Sequence, residues 1–241
     1  MIVQLVSYQY RKTGAKRLEY TAEIINRSTA DFILFPGHTL LLRRDVPQLL
    51  GLIYNKSLCA LIETKEGGNH PYLIKAGKAK DLRTSQWFSM ASHINNDFDL
   101  CEDFLNELES KRIFQVDGRK CLLLQCGENN IVKNYQRDGN RAAFRFDNIP
   151  ELSGRFDTLL SSVDIILNPA HTPMGNQGKL AKRRELLSSD GRAYFLTCNA
   201  DEKHRNLLSK SIQYAYSNAV QLHSDATLSP DGGYILRQFE I

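Results

Sequence analysis

Three glycine turns, each set beside short runs of apolar residues, limit what this chain can fold into. Gly77 lies between "PYLIK" and "KAKDLRTSQWF", Asp117-Gly118 divides "RIFQV" from "RKCLLLQCG", and Asp231-Gly232-Gly233 leads into the final "YILRQFEI". Corners of this kind between strand-like runs signal hairpins, and hairpins make antiparallel neighbours. The other apolar runs, "IVQLVSY", "DFILFPG", "LCALIETK", "SSVDIILNPA" and "RAYFLTCNA", are separated by stretches with helical spacing. Residues 16–27 place Leu18, Ile24 and Ile25 on one face, and a short helix starts near Asp45. A longer one over 97–110 turns Phe98, Cys101, Leu105 and Leu108 inward, and a basic helix covers roughly 179–189. Residues 201–222 favour helix only slightly. A doubly wound parallel sheet, with a helix between every two strands, does not fit so many hairpins. A mixed α/β architecture, with sheets covered by helices, does.

No repeat, low-complexity tract or Pro/Gly-rich linker divides the 241 residues, so 1–241 is expected to form a single domain. The formal charge of +4 is small and its basic residues are interspersed with acids, which gives no footprint for nucleic acid. No run of 18 apolar residues exists to cross a membrane. The opening "MIVQLVSYQYRK" reads as a strand rather than a signal peptide. Cys59, Cys101, Cys121, Cys126 and Cys198 form no CxxC pair and no metal spacing. Reduced thiols in a cytoplasmic protein are expected, with no metal and no cofactor.

The stretch "KCLLLQCGENNIV" delivers Cys126 from an apolar strand directly into Gly127-Glu128-Asn129-Asn130. Either the strand simply ends there with a buried thiol, or it carries a nucleophile to the rim of a sheet. Four further segments recur with it in a telling order. "DFILFPG" ends a strand in Phe35-Pro36, "VDIILNPAHTP" ends one in Asn168-Pro169, "RAYFLTCNA" ends one in Asn199, and "DATLSPDGGYIL" closes the chain. In this order the segments resemble the nitrilase, or carbon–nitrogen hydrolase, superfamily over nearly the whole length.

The resemblance implies an α-β-β-α sandwich of two mixed sheets flanked by helices. It also implies cleavage of non-peptide amides or nitriles by a Glu-Lys-Cys triad, with Cys126 as nucleophile, the Gly127 N–H beside it, and a homodimeric assembly. Two triad positions are altered. Gly37 stands where the family has glutamate after Phe-Pro. "RTSQWF" stands where it has Arg-Lys-x-His-Leu, which puts Gln86, or its neighbours Thr84 and Ser85, in place of the lysine.

Several residues stand as candidates around this gap. Glu128 is an exposed turn acid or the family's acid that braces the site. Glu63 is a solvated strand end or an inward carboxylate. His38 offers an imidazole as replacement base, although neighbouring residues on a strand face opposite ways. His171 and Asn168 fall in the loop that lines substrate in relatives, and His171 is a ligand contact or a surface histidine. Lys179 and Arg183 belong to a solvated helix face or attract an anionic ligand. Trp87 and Phe88 read as hairpin core.

The expectation at this level is a divergent nitrilase-fold pseudoenzyme that binds a small amide-like or anionic ligand, or a protein partner. The alternative is an active Cys126-dependent amide hydrolase with an altered general base. A pure assembly module is the third reading. Without a glutamate or lysine partner, Cys126 is expected to alkylate slowly, as an unactivated thiol does.

Overall fold

The computed structural model describes residues 1–9, 13–173, 175–200, 207–208 and 212–241. Two large sheets dominate. The first has seven strands in the spatial order Thr227–Leu228, Tyr234–Glu240, Ile2–Tyr8, Phe32–Leu34, Cys59–Thr64, His70–Lys75 and Lys78–Asp81. Its three central strands, 2–8, 32–34 and 59–64, run parallel, and the remaining pairings are antiparallel. The second has six strands, ordered Val220–Leu222, Gln213–Ser217, Ala193–Cys198, Ile165–Ala170, Arg119–Leu123 and Ile113–Val116. Here 165–170 is parallel to both neighbours, and antiparallel pairs finish each edge.

Period-two alternation explains how the sheets pack. Cys121, Leu123, Ile165 and Leu167 face Leu5, Phe32, Leu34 and Leu61 across the sandwich. Leu122, Leu124 and Ile166, one residue out of step, face outward under the helices Phe98–Lys111 and Pro150–Ser161. On the opposite side Ile33, Ala60 and Ile62 pack under Arg17–Arg27 and Asp45–Leu52. Strands buried on both faces read as continuous apolar runs, as these do. The layers are α-β-β-α. All five cysteines are free, and four are buried.

The structure departs from the sequence reading in three places. Gln213–Ser217 and Val220–Leu222 are strands, not helix, because Tyr214 and Tyr216 alternate with buried Ala215 against Ala193–Cys198. The rest of the 201–222 expectation falls partly on residues outside those described. Phe98 is 47% exposed and sits at the start of its helix, and Phe104 turns inward instead. The strand after Gly77 stops at Asp81, so residues 82–89 run as an irregular segment. A small antiparallel pair, Val132–Tyr135 with Arg141–Phe144, and the helix 150–161 complete the fold.

Candidate active site

The ends of strands from both sheets meet at one edge of the sandwich. The Gly37 N–H donates to the Ala170 carbonyl at 2.9 Å, and the Asn199 amide donates to the carbonyls of Gly37 and His171 at 2.8 and 3.2 Å. Residues far apart in sequence are thereby brought together: Gly37 and His38 from the first sheet, Cys126 and His171 from the second.

Cys126 opens a 3-10 helix, Cys126–Ile131, directly after the strand, and its φ of +34° is uncommon for a residue with a side chain. Three contacts hold it there. Asn168 donates to the carbonyls of Leu124 and Cys126, and its own oxygen accepts from Tyr194 at 2.9 Å. Gly127 packs against the Ser89 backbone so closely that a Cβ would lie 2.6 Å from the Ser89 carbonyl carbon. Only glycine fits there. Glu128 is fully buried, paired with Arg112 at 2.5 Å, and accepts from the Gln125 and Trp87 N–H groups at 2.7 and 2.8 Å. It braces the turn and presents no oxygen to the cleft.

Cys126 is the half-buried cysteine, and it lines an open cleft of about 590 Å³ with Gly127, Asn130, His171, Lys179 and Arg183. His171 Nε2 lies 3.0 Å from Glu63 Oε2, and the Cys126 side chain lies close enough to the ring to act on its charge. Glu63, 1% exposed at the end of Cys59–Thr64, also accepts from the Gln125 amide at 2.6 Å and from the His38 N–H at 3.0 Å. Burial alone would lower the His171 pKa. The Cys126 side chain and the hydrogen-bonded Glu63 carboxylate outweigh it and lift the ring to about 10.

His38 is not on a strand. It sits in a turn at φ +57°, so the facing argument from strand alternation does not apply to it. Its ring stacks on His171 with centroids 3.7 Å apart, and its Nε2 is 2.7 Å from Asn69 Oδ1. Burial, then the proximity of His171, pulls its pKa down to about 4. One imidazole of the stack is thus held protonated and the other neutral.

Gly37 is what permits this arrangement. A Cβ on it would overlap the His171 ring outright and lie 2.9 Å from both the Ala170 carbonyl carbon and Glu63 Oε2. The space next to the backbone after Phe35-Pro36 is filled by a histidine from one sheet and a carboxylate from the neighbouring strand.

The segment at the lysine position has become scaffold. Thr84 hydrogen-bonds Glu107, the Ser85 carbonyl accepts from Arg112 at 2.7 Å, and Gln86 links the Asn69 amide to the Phe88 carbonyl. Trp87 donates its indole N–H to Glu107, and Phe88 is core. Gln86, Gly37 and Asn168 support the site without lining the cleft.

The sequence reading passed over Gln125, Asn69 and Arg112. A buried polar residue in "LLLQC" is the one local signal that could have flagged Gln125, since polar side chains are rarely buried without partners.

His38, Glu63 and His171 place potential ligand atoms within 4.8 Å of one another. The two rings are stacked with only 16° between their planes, so their lone pairs run in nearly parallel planes and one ion cannot lie in both. This arrangement suits a chain of hydrogen bonds better than a metal. Among the described residues no helix is long and apolar enough to cross a membrane.

A scan against protein-family models and a search of curated proteins find no match to this sequence. Solved structures do match. An amidase from Nesterenkonia sp. superposes with a TM-score of 0.56 at 11% identity, covering 99% of this chain and 90% of that one. A double mutant of that amidase in complex with acrylamide gives 0.55 at 11% identity over 100% and 90%. A CN-hydrolase superfamily protein from Xanthomonas campestris, with an arsenic adduct in its active site, gives 0.53 at 8% identity over 100% and 90%. The chain has the nitrilase, or carbon–nitrogen hydrolase, fold.

Proposed function

We propose that this protein is a cysteine-dependent hydrolase of small amides in which Cys126, His171 and Glu63 replace the Glu-Lys-Cys arrangement. The observation that carries this reading is the chain Cys126–His171–Glu63 at the cleft. The expectation of an unactivated thiol rested on the loss of any base near Cys126, and an imidazole backed by a buried carboxylate answers that loss.

A thiol and an imidazole in contact exchange a proton, and the thiolate is the nucleophile. Glu63 accepts the hydrogen bond from His171 Nε2, which fixes the ring's orientation and favours its protonated form. The thiolate of Cys126 adds to the amide carbonyl carbon, and the carbonyl π electrons move to oxygen. The N–H of Gly127, the residue after the nucleophile, donates to that oxygen in this reading. When the carbon–nitrogen bond breaks, the proton on His171 goes to the leaving nitrogen, which departs as ammonia and leaves a thioester. His171, now neutral, takes a proton from water, and the resulting attack releases the carboxylic acid and restores the thiolate. Neutral His38 packs flat on His171 and keeps that face of the ring from water.

The decisive experiment measures ammonia release from propionamide and butyramide by the intact chain and by Cys126→Ala, His171→Gln and Glu63→Gln. Turnover that all three variants reduce at least a hundredfold supports the reading. The same rate in His171→Gln as in the unaltered protein would eliminate it. A binding-only protein is the second reading, favoured by the conversion of residues 84–86 into scaffold. It predicts no ammonia release together with Cys126 alkylation no faster than that of a free thiol.

A further inference from the structure

The cleft lined by Cys126 and His171 also carries positive charge without a counterpart. Arg183, on the helix Gln177–Leu187, is half-buried and bonds only neutral oxygens: its Nε donates to Asn134 Oδ1 at 2.8 Å and one terminal nitrogen to Asn130 Oδ1 at 2.7 Å. Its second terminal nitrogen has no acceptor among the described residues. Arg145 lies close enough for its charge to act on Arg183, and it too bonds only Asn130 and Asn95. Lys179, one helical turn before Arg183, lines the same cleft, and none of the three meets a carboxylate among the described residues. Buried Arg112 is held by Glu107 and Glu128, whereas Arg184 and Arg237 donate to glutamine oxygens; Arg183 differs from these in lining the cleft. Burial and the nearby Arg145 charge together pull the Arg183 pKa down to about 10, the mark of a cation whose surroundings do not compensate it.

Uncompensated, half-buried cations at the edge of a cleft are costly unless an anion joins them. Asn129, 1% exposed and also lining the cleft, has neither amide atom in a well-formed hydrogen bond, although it lies beside Tyr194. Asn130 connects the charged wall to the nucleophile turn, since it accepts from Arg183 and donates to the Gly127 carbonyl at 2.8 Å. The Arg183 guanidinium and the Gly127 carbonyl thus share one bridging amide.

We infer that the cleft takes a short amide whose far end carries an anionic group, a carboxylate or phosphate, held by Arg183 and Lys179 while its carbonyl meets Cys126. This rests on the reading of the cleft as the place where the amide binds.

The test compares succinamate, an amide with a terminal carboxylate, with neutral butyramide of similar length. In parallel, succinate and inorganic phosphate are tried as protectants of Cys126 against iodoacetamide, with calorimetric titration of the same two anions. The expected result is a higher kcat/KM for succinamate. Arg183→Gln should lower the succinamate-to-butyramide ratio by about tenfold or more, as loss of a hydrogen bond to a charged group does. Arg183→Lys should retain most of the preference. Protection by succinate alone assigns the site to carboxylates, and protection by phosphate as well widens it to both. If Arg183→Gln fails to fold, Lys179→Gln is read instead, with a several-fold drop in the same ratio expected.

Butyramide turnover without any preference, or a ratio untouched by these substitutions, overturns the inference while leaving the hydrolase reading standing. Anion binding that Arg183→Gln abolishes, in a protein that turns over no amide, supports the subsite and defeats the hydrolase.

Discussion

Replacing Gly37 with alanine exchanges one hydrogen for a methyl group at the point where the two sheets meet. That carbon would overlap the His171 ring and stand 2.9 Å from both the Ala170 carbonyl carbon and Glu63 Oε2. Non-bonded carbons rest about 3.5–4.0 Å apart. The shortfall is more than half an ångström against backbone and larger against the ring. The backbone of Ala170 is tied to the Gly37 N–H and cannot retreat alone. The ring must therefore swing away, lengthening its bond to Glu63 and shifting relative to Cys126.

Overpacking of this kind costs about 1–3 kcal/mol, and each kcal/mol lowers Tm by roughly 2–4 °C in a chain of this length. Activity should suffer more, because displacing a catalytic group by about 1 Å costs on the order of a hundredfold. The assay is the second-order rate of Cys126 alkylation by iodoacetamide at pH 7, with amide turnover and thermal melting alongside. Gly154→Ala is the control: nothing lies within 4 Å of its Cβ position inside the helix 150–161, so it should leave Tm unchanged or slightly raised. If Gly37→Ala labels Cys126 at the original rate and melts with the unaltered protein, then His171 is not packed on Gly37 and the account of the site is wrong.

Glu63→Gln should cut amide turnover by about 10²–10³-fold and lower the pKa of His171, read from its ring resonances by NMR. Cys126→Ala should also lower that pKa, since the side chain of Cys126 contributes to holding it near 10. The raised His171 pKa means that its contribution to stability is fully present below about 6.5 and is lost as pH rises through 10; chemical denaturation at pH 6, 8 and 10 should show that decline, and Cys126→Ala should flatten it. Arg112→Met should destabilise the fold by about 3–5 kcal/mol, because it strands the buried carboxylate of Glu128. A urea midpoint within error of the unaltered protein would show that the pair does not brace the turn.

The strands announced themselves because each is buried on one or both faces and so carries a long apolar run or a strict alternation. Cys126 was legible for the same reason, at the end of such a run and before a turn. The base was not. Glu63 and His171 are 108 positions apart, and no periodicity in either segment records that the two strand ends converge. Glu63 read equally well as a solvated terminus. His38 was judged by strand alternation, yet its backbone had already left the strand. Gly37 looked like a loss, and its meaning depended on which side chains fill the volume it vacates. The strands 213–217 and 220–222 form a hairpin that escaped because its corner is Asn218-Ala219, both at positive φ, and carries no glycine to mark the turn.

The pairing of Ile2–Tyr8 with Tyr234–Glu240, in the register Ile2↔Glu240 through Tyr8↔Tyr234, bears on how the polypeptide is assembled. On a ribosome, the first strand emerges with one hydrogen-bonding edge that stays vacant until the last seven-residue strand has been made. Contacts of such separation are slow to close, and an open apolar edge invites association between nascent chains. The first sheet should therefore close late, because its pairing waits for residues 234–240, whereas the strands of the second all lie between residues 113 and 222.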